Sequence, residues 1–158
     1  MKHAIVFLLV LMLSSCEYFN VKKTSSEAIL NEELKTFNWN DVDEYPNFSI
    51  CDESASKAER QMCFQNTLTH HITNFLQNEG IIVSQDINDT ILLEFQVSKT
   101  GDLSLMSSSV DSLTVDEIPN IEDLLNQSLT DLPEIFPAIK RGQQVTTEFK
   151  LPLIIRVN

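Results

Sequence analysis

The sequence predicts an α+β fold, in which helices cover one face of a small antiparallel sheet in the order helix, strand, strand, helix, strand. Apolar residues occupy every second position over residues 91–98 and, except for Thr147, again over residues 145–157, the pattern of strands with one buried face. Between residues 54 and 80 the large apolar side chains instead recur at helical spacing. Residues 99–102 carry a glycine turn, which makes the strands on either side of it antiparallel neighbours.

The first predicted helix has a start signal and a stop signal. Ser54 or Ser56 can cap its amino end, and Gly80 can supply the left-handed residue that ends it. We expect one face of this helix to pack on the core. The predicted buried stripe consists of Met62, Phe64, Leu68, Ile72, Phe75 and Leu76.

A second helix is predicted to begin at Pro119, where the missing N–H of proline costs nothing. Acidic residues follow at once and suit the positive end of a helix. Pro133 and Pro137 are expected to stop it. Its predicted buried face consists of Ile121, Leu124, Leu125 and Leu129.

The predicted strands differ in regularity. In the first, Ile91, Leu93, Phe95 and Val97 point to one side; Gly101 then turns the chain into a weaker, serine-rich strand over residues 103–110. The last strand, residues 145–157, has the most regular alternation in the chain. Its buried side is predicted to consist of Val145, Thr147, Phe149, Leu151, Leu153, Ile155 and Val157.

The amino-terminal residues have the pattern of a lipoprotein leader. A short positive segment precedes an uninterrupted apolar run over residues 4–13, too short to cross a bilayer. The run ends on the lipobox-like Leu13-Ser14-Ser15-Cys16, in which a cysteine stands where lipid is attached. We therefore predict a signal peptide over residues 1–15, a lipid on Cys16 and a polar tether over residues 16–44 before a domain at 45–158. The alternative is an ordinary secretory leader with a chance cysteine.

Cys51 and Cys63 are the remaining cysteines, and in an exported chain they are expected to form a disulfide. The alternative is a metal site shared with His70 and His71. Adjacent histidines on a helix point about 100° apart and seldom bind one ion, so the disulfide is the stronger hypothesis and no metal ligand is assigned.

The composition excludes several classes of function. The formal net charge is −12, and loss of Lys2 with the leader makes it about −13, which repels phosphate backbones and argues against nucleic-acid binding. With three glycines there is no phosphate-binding loop. No nucleophile–base pair, carboxylate dyad or metal cluster stands at useful spacing, so we predict a protein that is not an enzyme and needs no cofactor.

Three segments resemble the C-terminal domain of the energy transducer TonB. They are residues 95–103 (FQVSKTGDL), residues 132–145 (LPEIFPAIKRGQQV), which resemble the family's "LP…PA…G..V" crossover, and residues 149–153 (FKLPL). Residues 46–51, 63–64 and 71–72 resemble the paired-cysteine extension of many Bacteroidetes members. The chain departs from the family in lacking the "YP..A…G" segment, an inner-membrane helix and a long spacer. It therefore cannot transmit force by the family's route.

The resemblance implies that the last strand accepts an extended peptide of an outer-membrane transporter at the sheet edge. The residues implied in peptide binding are Val145, Thr146, Glu148, Lys150, Pro152 and Arg156. Pro152 independently suits a free edge, where its missing donor faces no partner strand, or it guards that edge against aggregation. The expected location is the outer membrane, facing the periplasm. The alternative function is that of a structural accessory subunit of an envelope complex with no peptide-binding role.

Overall fold

A computed structural model describes residues 42–158. The predicted leader, Cys16 and the tether up to residue 41 lie outside the described residues. The helices in the described part are α1 (Lys57–Asn78), α2 (Ser112–Glu117) and α3 (Ile121–Gln127). The strands are β1 (Asn47–Phe48), β2 (Ile87–Val97), β3 (Leu103–Ser109), β4 (Ile135–Phe136), β5 (Ala138–Lys140), β6 (Gln143–Val145) and β7 (Thr147–Val157). Helices and antiparallel strands are mixed in this domain, so the predicted α+β class is confirmed.

The main sheet has three antiparallel strands in the order β3-β2-β7, with β2 in the centre. β2 and β7 pair over eleven residues each, from Ile87 opposite Val157 to Val97 opposite Thr147, with no irregularity. The pairing of β2 with β3 shifts register between Glu94 and Phe95, because β3 carries one extra residue there. Two short pairs of strands, β1 with β4 and β5 with β6, lie outside the main sheet.

The core lies between α1 and the sheet, and a chain of aromatic rings runs through it. Phe48 stacks on Phe64 of α1 at a centroid distance of 4.8 Å, and Phe64 meets Phe149 of β7 edge-on at 5.4 Å. Phe149 in turn stacks on Phe95 of β2 at 5.3 Å. Contacts of this geometry add about 0.5–1.5 kcal/mol each beyond the burial of the rings. They hold α1 against β2 and β7.

The ends of α1 are those that the sequence predicts. Ser56 caps the amino end, and a reciprocal bond from its own N–H to the Glu59 side chain completes a capping box. The helix ends at Asn78, and Gly80 follows with φ +61°. The prediction for Met62 is wrong, since its side chain is 58 % exposed. Met62 stands two residues before Phe64, which turns it about 200° away from the buried stripe.

The second predicted helix corresponds to α3, and a further helix, α2, precedes it. α2, capped by Asp111, lies where no helix was predicted, and the turn at Pro119 and Asn120 separates it from α3. α3 ends before either expected stop at Pro133 or Pro137, and its C-cap residue Ser128 donates its hydroxyl to the carbonyl of Leu125. Of the predicted buried face, Leu129 lies beyond the helix and is half-buried.

The last predicted strand is interrupted at Thr146, so residues 145–157 do not form one continuous strand. Val145 belongs to β6, which forms a hairpin with β5 through a turn at Arg141 and Gly142, with φ +51° and +74°. Alternation predicts the faces of a strand but not where a hairpin begins. On the other side of this hairpin, Glu44 pairs with Ile139, so the end of the predicted tether already belongs to the folded domain.

Candidate functional site

Strand β7 has an open edge. It pairs with β2 on one side, and no strand within residues 42–158 pairs with its other side. At about 3.3 Å per residue, its eleven residues extend for about 36 Å. Such an edge is a template onto which another extended chain can pair.

The turn between β2 and β3 establishes which backbone groups of β7 face this edge. The N–H of Ser98 donates to the carbonyl of Asp102 at 2.9 Å, so the backbone of Ser98 points toward β3. In an antiparallel sheet the N–H and C=O of one residue point to the same neighbour, and successive residues alternate. Val97, and with it every odd-numbered residue of β2, therefore points toward β7. Since odd residues of β2 stand opposite odd residues of β7, the even residues of β7 face the open edge: Glu148, Lys150, Pro152, Ile154 and Arg156.

Pro152 occupies one of these outward positions. It stands opposite Leu92, whose backbone points toward β3, so the missing N–H of Pro152 removes no bond to β2. This is the placement that the sequence predicts for a proline within a strand. The open edge therefore offers four N–H donors and five carbonyl acceptors. None of them has a backbone partner within residues 42–158.

The charged side chains of these residues lie on the outer face of the sheet, away from α1. Lys150 forms an ion pair with Glu94 of β2, with an Nζ–Oε1 distance of 2.5 Å. Glu94 also accepts a hydrogen bond from the hydroxyl of Ser107 at 2.9 Å. The hydrogen bond from Lys150, then that from Ser107 and the charge of Lys150, lower the pKa of Glu94.

The two other charges of the edge are bound by uncharged amides. Gln96 Nε2 donates to Glu148 Oε1 at 3.1 Å, and Arg156 Nε donates to Asn88 Oδ1 at 3.3 Å. Each of these side chains is thereby oriented along the outer face by its neighbour on β2. The edge consequently carries an anionic group near the start of β7 and a cationic group near its end.

An apolar patch separates these charges. Pro152 is buried, and Ile154 and Leu92 are half-buried on the same face. The predicted candidate residues do not include Ile154, although the even-numbered alternation places Ile154 with Pro152.

Two predicted site residues do not belong to the open edge. Val145 pairs with Ala138 of β5, and Thr146 lies in the break between β6 and β7. The sequence placed them on the edge because the alternation continues through the break. Of the predicted set, the structure brings together Glu148, Lys150, Pro152 and Arg156.

The other edge of the main sheet is less suited to an added strand. β3 has seven residues, and the extra residue in its pairing with β2 is Met106, whose side chain is 56 % exposed. Such a bulge twists a strand and disturbs the regular row of donors and acceptors. The regular pairing surface is that of β7.

The cysteines and histidines do not come together in one site. Cys51 and Cys63 form a disulfide between the segment after β1 and helix α1. His71 places Nε2 3.0 Å from the carbonyl oxygen of Thr130, whereas His70 is exposed beside a shallow depression on α1. Within residues 42–158, no three His, Cys, Asp or Glu side chains are placed to hold a metal ion.

No helix between residues 42 and 158 is long and apolar enough to cross a membrane. Comparison with known proteins returned no match among family models, curated proteins or solved structures. The resemblance to TonB domains therefore rests on the sequence segments named above.

Proposed function

We propose that the folded domain is a protein-interaction module that binds an extended segment of another envelope protein as an additional strand along β7. The observation that carries this proposal is the open edge of β7, with the outward backbone groups of five alternating residues. Strand addition uses such an edge, since main-chain hydrogen bonds supply affinity and neighbouring side chains supply preference. The TonB-like pattern supports the same reading, with an outer-membrane transporter as the partner.

The number of available groups is consistent with moderate affinity. Each main-chain hydrogen bond contributes about 0.5–1.5 kcal/mol net. A ligand that satisfies most of the nine outward groups would gain several kcal/mol and lose part of that gain in becoming ordered. Micromolar affinity, about −8 kcal/mol at the 1 M standard state, is therefore the upper limit that we expect from these main-chain bonds. Binding of this strength is reversible.

The proposed anchor is a lipid on Cys16, which holds the domain at the outer membrane on its periplasmic side. Replacement Cys16→Ala should abolish incorporation of labelled palmitate and move the protein out of the membrane fraction. Cys51→Ala is the matched control, because it removes a cysteine that the lipid does not use. Unchanged labelling of the Cys16 variant would contradict the anchor.

The edge itself is tested by proline substitution. Lys150→Pro removes an outward donor, so it should weaken the binding of transporter-derived peptides while the domain stays folded. Lys150→Ala is the control, since it removes the same ion pair with Glu94 and keeps the N–H. Leu151→Pro should instead disrupt the pairing with β2, because the N–H of Leu151 points toward β2. Equal binding by the Lys150→Pro and Lys150→Ala proteins would argue against strand addition at β7.

The partner is tested in intact envelopes. A photo-crosslinking residue in place of Ile154 should capture an extended segment of a transporter, and the same residue in place of Ser104 on β3 should not. Capture of one stoichiometric partner at both positions would favour the structural-subunit alternative.

A further inference from the structure

We propose that the edge of β7 selects a dipolar segment that runs antiparallel to it, as neighbouring strands of this three-stranded sheet do. This segment carries an acidic residue opposite Arg156, aliphatic residues opposite Ile154 and Pro152, and a basic residue opposite Glu148. The inference rests on the proposed strand addition and specifies the chemistry of the ligand.

This selection follows because the backbone groups and the side chains of β7 change direction together from one residue to the next. The even residues that direct their backbone groups to the open edge are the same residues that place their side chains on the outer face. A ligand residue in a hydrogen-bonded pair with one of them lies about 5.5 Å away between Cα atoms, with its side chain on the same face. Every second ligand side chain therefore lies beside one of the five outward residues of β7, of which Pro152 alone is buried.

The charges of β7 are not equally available to a ligand. Lys150 is paired with the carboxylate of Glu94 at 2.5 Å, and so its charge is opposed within the domain. The hydrogen-bond partners of Glu148 and Arg156 are the uncharged amides of Gln96 and Asn88. Glu148 and Arg156 thus retain opposite charges, and their separation of eight positions in the sequence corresponds to about 27 Å of strand. That distance exceeds the screening length of about 8 Å at physiological salt, so Glu148 and Arg156 each interact with a ligand charge independently of the other.

The centre of the edge favours aliphatic side chains. Pro152 is buried and Ile154 is half-buried, and Leu92 extends the apolar patch onto β2. A ligand carbonyl directed at Pro152 finds no N–H to accept from. Apolar contact with the half-buried Ile154 and Leu92 therefore has to stabilise this part of the complex. A charged residue there would lose hydration without gaining a partner.

A second copy of the domain fits this edge less well. Antiparallel pairing of two β7 strands about Pro152 would place Glu148 opposite Arg156, but it would also place Pro152 opposite Pro152. Both carbonyls would then face a residue without a donor, and Lys150 would stand opposite Ile154. We therefore take the ligand to be a segment of another protein, as the proposed function requires.

Two synthetic peptides with capped ends test the inference: DSISISQSK and its end-exchanged counterpart KSISISQSD. In an antiparallel complex the first meets Arg156 with its aspartate and Glu148 with its lysine, whereas the second meets like charges at both ends. The protein should bind the first about threefold or more tightly than the second at low salt, and the ratio should fall as salt is added. Titration calorimetry or fluorescence anisotropy measures both affinities.

Exchange of the two charges on the protein provides the decisive variant. Glu148→Lys combined with Arg156→Glu should invert the order of the two peptides without changing the net charge of the chain. The control exchange, Lys99→Glu with Glu79→Lys, lies on exposed positions outside β7 and should leave the order unchanged.

The outcomes separate this inference from the function on which it rests. Equal affinities, or an order that the exchange does not invert, overturn the dipolar selection while strand addition stands. Failure of both peptides, together with failure of transporter-derived peptides, overturns strand addition as well. A stable dimer of the protein that either peptide dissociates would assign the edge to a second copy.

Discussion

Leu92 on β2 and Pro152 on β7 stand opposite each other, and their backbone groups point away from each other. Those of Leu92 point toward β3, and the carbonyl of Pro152 points toward the open edge. A proline at a neighbouring, odd-numbered position of β7 would remove a hydrogen bond to β2. At position 152 it removes only a donor at the open edge. The sheet therefore keeps its full pairing, and the edge becomes a poorer template for other sheets.

Replacing this proline should make the edge more adhesive. Pro152→Val restores an outward N–H on a residue that favours strands, so we expect greater self-association and tighter peptide binding in a domain that remains folded. Analytical ultracentrifugation measures the first effect and peptide titration the second. Pro119→Ala is the control, since Pro119 lies between α2 and α3. A variant that stays monomeric and binds peptide unchanged would show that the donor at position 152 does not matter.

The disulfide should contribute substantially to stability. In the chain-entropy model, closing a loop with a sequence separation of 12 stabilises the fold by about 3 kcal/mol. The double variant Cys51→Ala with Cys63→Ala should lose about this much free energy of unfolding in a urea titration. Reductant should lower the stability of the unmodified protein and leave that of the double variant unchanged. Two alkylatable thiols in protein taken from the envelope would contradict the assignment.

Gly101 should tolerate no side chain, because the β2–β3 turn lies against β4. A Cβ at this position would lie 2.1 Å from the carbonyl oxygen of Ile135, and φ is +92°. Gly101→Ala should therefore destabilise the domain by more than the roughly 1–2 kcal/mol that the left-handed backbone alone costs. Gly142→Ala is the matched control, since φ is +74° and no atom lies within 4 Å of its Cβ position. Equal losses in the two variants would mean that the turn can move away from Ile135.

The ion pair between Glu94 and Lys150 should be visible as a change in titration. Hydrogen bonds from Lys150 and then from Ser107 lower the pKa of Glu94 below its ordinary value. Lys150→Met should raise that pKa, and Ser107→Ala should raise it by less; NMR of the Glu94 carboxyl carbon follows both. Because the folded-state pKa is lowered, the stabilisation is present above the pKa of unfolded glutamate and is lost as the pH falls through the lowered value. An unchanged Glu94 titration in both variants would show that neither bond holds the carboxylate.

Local patterns in the sequence predict the large elements of this protein. The capping residue Ser56 and the stop at Gly80 bound α1, the turn at Gly101 joins β2 to β3, and alternation identifies the buried face of β7. These features depend on residues close to one another in the chain, so spacing and residue type are enough to identify them. The same reasoning identifies Cys51 and Cys63 as a pair, since Cys16 is the only other cysteine in the sequence and is predicted to carry a lipid.

The tertiary structure decided which edge of the sheet is open and where the last strand begins. Alternation shows which face of β7 is buried, but the choice of strand neighbours depends on pairings between residues far apart in the chain. The short strands β1 and β4, in which Asn47 stands opposite Phe136, have too few residues for a periodic signal, and so they were not predicted. The break at Thr146 was missed because β6 continues the alternation while pairing with β5 instead of β2. The direction of the Pro152 backbone follows from the register of β2 with both neighbours, a three-strand relationship that no single stretch of sequence contains.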